Sequence, residues 1–121
     1  MTWESDVASL QKELGYFFTD SAVLSRSLTH ISFGRGKAAD HNEMLEFLGD
    51  AVLDLAVSGL LMRRFPEKTE GDLSKMRAAL VNASALAERA ARLELGELLR
   101  MGKGEERSGG KIGRASCRER V

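Results

Sequence analysis

Apolar residues recur at helical spacing along almost the whole readable chain. Val7, Leu10 and Leu14 stand at i, i+3 and i+7, which predicts a first helix ending near Gly15. Thr19 or Asp20 is placed to cap a second helix carrying Ala22, Val23 and Leu28. FGRGKAADH breaks the period with two glycines and reads as a loop. One long segment then runs from about Asn42 to Arg64 and is stopped by Pro66. Thr69 is expected to cap a helix containing Leu73, Met76, Ala79 and Leu80, and Asn82 another with Leu86, Ala90 and Leu93. RMGKGEERSGGK closes the body as a polar, glycine-rich loop. With no alternating strand pattern and no internal repeat, the expected fold class is all-α.

The long central segment carries the chemistry. An α-helix advances about 100° per residue, which brings Glu43, Glu46 and Asp50 within an arc of about 60°, extended by Asp54. Leu45, Leu48, Val52, Leu53, Leu55, Val57 and Leu60 occupy the rest of the circumference, so the helix is expected to be buried on most sides. Gly49 leaves room for close approach beside the acids. Two readings stand side by side. The acids can be a solvated stripe, with Glu43 and Glu46 favoured by the positive end of the helix dipole. They can also be part of a hard-cation site, because oxygen ligands without His or Cys suit Mg²⁺ or Mn²⁺ rather than zinc. Such sites commonly serve phosphodiester hydrolysis. One helix face rarely surrounds a cation, so further ligands would have to come from elsewhere.

Composition changes the picture in one place. The 121 residues form one domain or part of one, with 43% hydrophobic residues and Lys+Arg equal to Asp+Glu at 18 each. No apolar run approaches a membrane span, and the amino terminus lacks the pattern of a signal peptide, so a cytoplasmic location is the expectation. The last ten residues, IGRASCRERV (Ile112–Val121), have no periodicity. They correspond, codon for codon, to the translation of a common sequencing-library adapter. They are therefore set apart from the domain at 1–111 as an artefactual tail, and the gene is expected to have been cut short there. The body without them holds 15 basic and 17 acidic residues and no cysteine, since Cys117 leaves with the tail.

HNEMLEFLGDAVLDLAVSGLL closely resembles the signature of the ribonuclease III family, endonucleases specific for double-stranded RNA. SLTHISF, RRFPEKTEGDLSKMRAALV and GKGEERSGG resemble the family's flanking segments in order, so the resemblance covers essentially residues 5 to 110. It implies a helical endonuclease domain, incomplete at its carboxy end. Glu46 corresponds to a metal-binding carboxylate, and Asp50 to the catalytic carboxylate that also serves the metal site. Glu43 and Glu70 correspond to supporting acids near the subunit interface, and Phe47 to an aromatic residue that inserts into the partner subunit. Met44 departs from the basic or polar residue of many relatives.

The implied reaction is hydrolysis of each strand by Mg²⁺-activated water. It gives 5′-phosphates and short 3′ overhangs from a homodimer, in RNA processing such as rRNA and mRNA maturation. The family completes each metal site with a second Asp and Glu on a later helix, and nothing after Gly110 resembles it; nor does any stretch of the given sequence resemble the family's carboxy-terminal double-stranded-RNA-binding domain. The fragment by itself is expected to be inactive. Arg63, Arg64, Lys75, Arg77, Lys103 and Arg107 are candidates for phosphate contact, and a solvated face is the plainer account of each. His30 reads as a structural hydrogen-bonding residue and His41 as a loop or pre-cap residue. Trp3 and Tyr16 give no stacking pattern of the single-strand-binding kind.

Two rivals belong to other classes. A non-catalytic relative that binds RNA or acts as a scaffold would have little use for three desolvated acids. A generic helical bundle with a carboxylate metal site would carry Glu-x-x-His pairs, which this chain lacks.

Overall fold

The computed structural model describes residues 2–33 and 41–102. Its order is α1 (Trp3–Leu14), α2 (Ser21–Ser27), α3 (Glu43–Arg64), α4 (Glu70–Leu80), α5 (Ala83–Arg92) and α6 (Leu95–Leu98). The all-α expectation holds. The starts and stops follow from local chemistry. Thr2 and Ser5 form a reciprocal capping box ahead of α1, and Gly15 ends it in the left-handed conformation, φ 74°. Asp20 caps α2 by accepting from the Ala22 N–H at 3.0 Å. Thr69 and Asp72 box the start of α4, and Asn82 caps α5 by accepting from the Ala85 N–H at 2.8 Å. α6 lies in a stretch that the periodicity leaves unassigned. It opens at Glu94, which adopts φ 56° without being glycine.

The core forms where the two ends of the described chain come together. Val7 and Leu10 from α1, Leu24 and Leu28 around α2, and Leu98, Leu99 and Met101 form a single buried cluster, edged by Trp3, Phe18, Leu93 and Leu95. The buried residue of α2 is Leu24 rather than Val23, which is 42% exposed. Backbone bonds close this unit. His30 N–H donates to the Arg100 carbonyl and Arg100 N–H to the Leu28 carbonyl, each at 2.9 Å, with a parallel bridge between Thr29 and Arg100. The Trp3 indole N–H donates to the Leu98 carbonyl at 2.8 Å.

The central helix corrects an expectation. α3 is not buried on most sides: of its residues Leu61 alone is buried, while Met44, Phe47, Leu48, Val52, Leu55, Leu60 and Met62 are exposed. The reason is packing supply. Among the described residues α4 is the helix that packs extensively along it, and no other element covers the remaining apolar arc. The α3–α4 contact is fastened by Arg77 Nη1 donating to the Ser58 hydroxyl at 2.8 Å, which in turn donates to the Asp54 carbonyl at 2.7 Å.

Candidate functional site

α3 starts where α2 has just ended, and the junction is hydrogen-bonded rather than apolar. Asn42 N–H donates to the Thr29 carbonyl at 2.9 Å, and its side-chain amide donates to the Ser27 carbonyl at 3.1 Å. Arg26 Nε donates to the His41 carbonyl at 3.1 Å. His41 is buried, and its Nδ1 accepts from the Glu43 N–H at 3.4 Å, so it takes the pre-cap place expected of it. His30 is also structural: its Nδ1 accepts from the Ser32 N–H at 3.1 Å.

The acidic arc sits on the first two turns beyond this junction. Glu43 and Asp50 are exposed, so the expectation of three desolvated acids fails for these two, and Asp54, which extends the arc, is exposed as well. Glu46 alone is half-buried, beside a pocket of about 70 Å³ lined by Ser27, Asn42, Leu45 and Glu46. Glu46 and Asp50 stand four residues apart and therefore on one face, about 6 Å along the helix axis. Their oxygens are the donor type a hard divalent cation takes. The donor chemistry fits such a cation, but the set is partial: among the described residues no group of three or more His, Cys, Asp or Glu converges to hold a metal.

The other candidates are scattered. Phe47 is 77% exposed and so is not a core residue of this chain. Glu70 lies in the first turn of α4, where it accepts from the Ser74 hydroxyl at 2.9 Å. It lines an α3–α4 groove of about 330 Å³ with Ser58, Leu61, Met62, Leu73, Ser74 and Arg77. That groove meets α3 from Ser58 onward, so the fold does not bring Glu70 to Glu46. Arg63 and Arg64 are exposed in the last turn of α3, where the helix dipole favours them without any ligand. Lys75 is exposed, and Arg77 is tied to Ser58. Lys103, Arg107 and the stretch 112–121 lie outside the described residues. No helix among the described residues is long and apolar enough to cross a membrane.

A family model described as Ribonuclease-III-like matches residues 20–118, across α2 to α6 and the acidic arc. The chain belongs to the ribonuclease III family. Ribonuclease 3 of Proteus mirabilis is 50% identical over 104 residues, and that of Pelotomaculum thermopropionicum 53% identical over 105 residues. These alignments cover 86% and 84% of the chain and 44% of each relative, so the chain spans less than half the length of those proteins. Two solved structures of the nuclease domain of ribonuclease III from Campylobacter jejuni superpose with TM-scores of 0.83 and 0.80 at 45% and 44% identity. Each superposition covers 94% of this chain and 78% of the other. The first of the two is described as flexible in a region involved in dimer formation. The family match runs past residue 111, the boundary expected from the sequence, as far as residue 118.

The periodicity marks the acidic arc of Glu43, Glu46, Asp50 and Asp54, and the family signature singles out Glu46 and Asp50 within it. What they left out is the junction. Arg26, Ser27 and Asn42 are unremarkable in sequence, and their partners are 15 residues away along the chain.

Proposed function

We propose that this chain is the amino-terminal part, residues 1–111, of the nuclease domain of a double-strand-specific endoribonuclease. The observation that carries the reading is the pair Glu46 and Asp50, one turn apart on α3 of a ribonuclease III fold, with Glu46 half-buried and Asp50 open to solvent. Residues 112–121 are kept outside the domain because they correspond to adapter sequence through every codon.

In this reading Glu46 and Asp50 hold Mg²⁺, with Mn²⁺ as a substitute. A cation of this kind lowers the pKa of water and neutralises charge on the departing oxygen. The exposed Asp50 would be open to a phosphodiester as well as to the cation, and the half-buried Glu46 would serve as the more enclosed ligand. Water adds to phosphorus, the P–O3′ bond breaks, and the products are a 5′-phosphate and a 3′-hydroxyl. A homodimer, with one active centre for each strand and Phe47, Glu43 and Glu70 near the subunit contact, gives the short 3′ overhangs. The setting is rRNA and mRNA maturation in the cytoplasm. Arg63, Arg64, Lys75, Arg77, Lys103 and Arg107 are the candidates for phosphate contact.

The 121 residues alone hold part of the ligand set, and duplex RNA incubated with them and Mg²⁺ is expected to stay intact. The test of the function itself uses a chimera: residues 1–110 followed by the remaining carboxy-terminal part of the Proteus mirabilis relative. Cleavage of long duplex RNA is expected, and Glu46→Gln or Asp50→Asn is expected to lower it by about a thousandfold, in keeping with loss of a group that stabilises the transition state. Tight duplex binding by a folded chimera without any cutting would overturn the reading in favour of a non-catalytic RNA-binding or scaffolding module.

A further inference from the structure

Of the acids on the α3 arc, Glu46 is the one the fold partly encloses, and the enclosure is built from two elements. The pocket beside it is walled by Ser27, the last residue of α2, and by Asn42 and Leu45 at the start of α3. Asn42 joins the two walls. It is 9% exposed, and it stands one turn before Glu46 on the same face. It donates from its backbone to Thr29 and from its side chain to Ser27, and its carbonyl accepts from the Glu46 N–H at 2.7 Å.

The way Asn42 uses its side chain is unusual for its position. An N-cap Asn ordinarily accepts from an N–H in the first turn of its own helix. The Asn42 side chain makes no cap bond at all, and His41 serves the Glu43 N–H in its place. The amide is directed backwards, into α2. Arg26 braces the same joint from the other side through the His41 carbonyl. Capping does not account for a side chain placed in this way; fixing the base of α3 against α2 does.

We infer that Asn42 is a positioning residue for Glu46: its amide, with Arg26 as a second brace, locks the first turn of α3 against α2 and so sets where the Glu46 carboxylate reaches. This rests on the nuclease reading above. Groups that orient a metal ligand typically change metal affinity about 10- to 100-fold when removed, whereas Ser and Asn are nearly equal as N-caps. Asn42→Ser therefore removes no cap bond, because the Asn42 side chain makes none, and cannot span to Ser27, which separates positioning from helix initiation.

The experiment follows Mn²⁺ binding in the chimera by electron paramagnetic resonance. Asn42→Ser is expected to raise the Mn²⁺ midpoint of the chimera about tenfold, with Tm lowered only by the few degrees that one hydrogen bond is worth. In the chimera it lowers kcat and raises the Mg²⁺ concentration at half-maximal rate, leaving KM for duplex RNA unchanged. Arg26→Ala, a lesion on the other element, is expected to act in the same direction, and the double variant to show less than the product of the two effects. An unchanged Mn²⁺ midpoint in Asn42→Ser, alongside a raised one in Glu46→Gln, overturns the positioning role and leaves the nuclease reading standing. An unchanged midpoint in Glu46→Gln overturns the nuclease reading, and the positioning role with it.

Discussion

Arg100 reaches partners more than 70 residues away in sequence. Its Nη2 donates to the Ser25 hydroxyl at 2.5 Å and the Thr29 hydroxyl at 2.8 Å. Its guanidinium lies 4.4 Å from the Trp3 ring centroid and 5.3 Å from that of Phe33. A planar, delocalised cation can stack and donate at once, and an ammonium cannot. Arg100→Lys is therefore expected to lower stability by about 2 kcal/mol, read as a drop in the urea midpoint of the chimera. The gain is smaller than a fully satisfied network would give, because the buried Arg100 Nε has no partner. Glu94 offers a change of opposite sign. A non-glycine residue at φ 56° carries a steric penalty, so Glu94→Gly is expected to raise stability by about 0.5 to 1 kcal/mol, measured the same way. Neither residue stands out in the sequence, since one depends on a distant partner and the other on a backbone angle.

At the scale of elements, the sequence is most legible where the cause is local. The caps at Asp20, Thr69 and Asn82 and the stop at Gly15 act within three or four residues of themselves, and each is found where the pattern predicts it. α3 runs to Arg64, ahead of Pro66, for the same kind of reason. α6 escaped because four residues are too few to show a period. The burial of α3 was misjudged for a different reason: apolarity reports what a helix would gain from being covered, while coverage depends on other segments. The acidic arc was legible as a face of one helix, and the family signature picks Glu46 and Asp50 from it, but the hydrogen-bonded joint between α2 and α3 was not legible. The exposed side of α3 leads to a prediction for the dimer proposed above. Phe47 and Leu55 are 77% and 74% exposed, so replacing either should leave the chain's own stability within about 0.5 kcal/mol. Phe47→Ala in the chimera is expected to weaken self-association about 30-fold in analytical ultracentrifugation, the equivalent of one buried aromatic side chain. An unchanged dimer constant would place Phe47 outside the contact.

The whole molecule is unevenly held. Among the described residues, seven buried hydrophobic residues belong to the cluster formed by α1, α2 and the segment around α6, whereas α3, α4 and α5 contribute Leu61 alone. Apolar surface left in water forgoes about 25 cal/mol for each Å², and a domain's whole margin is about 5 to 15 kcal/mol. The open arc of α3 is large enough to consume that margin when nothing covers it. For residues 1–110 alone we expect dye-binding apolar surface, self-association, and a broad thermal transition in place of a sharp one. Hydrogen exchange should divide the chain along the same line, slower in α1 and at the Leu28–Arg100 bridge, faster in α4 and α5. Adding the carboxy-terminal part of the Proteus mirabilis relative should sharpen the transition and slow exchange in α3 most of all, because that helix has the most apolar surface to cover. A cooperative, monodisperse transition for 1–110 without the addition would mean that the α1–α2–α6 cluster stabilises the rest by itself, and that the open face of α3 costs less than its area implies.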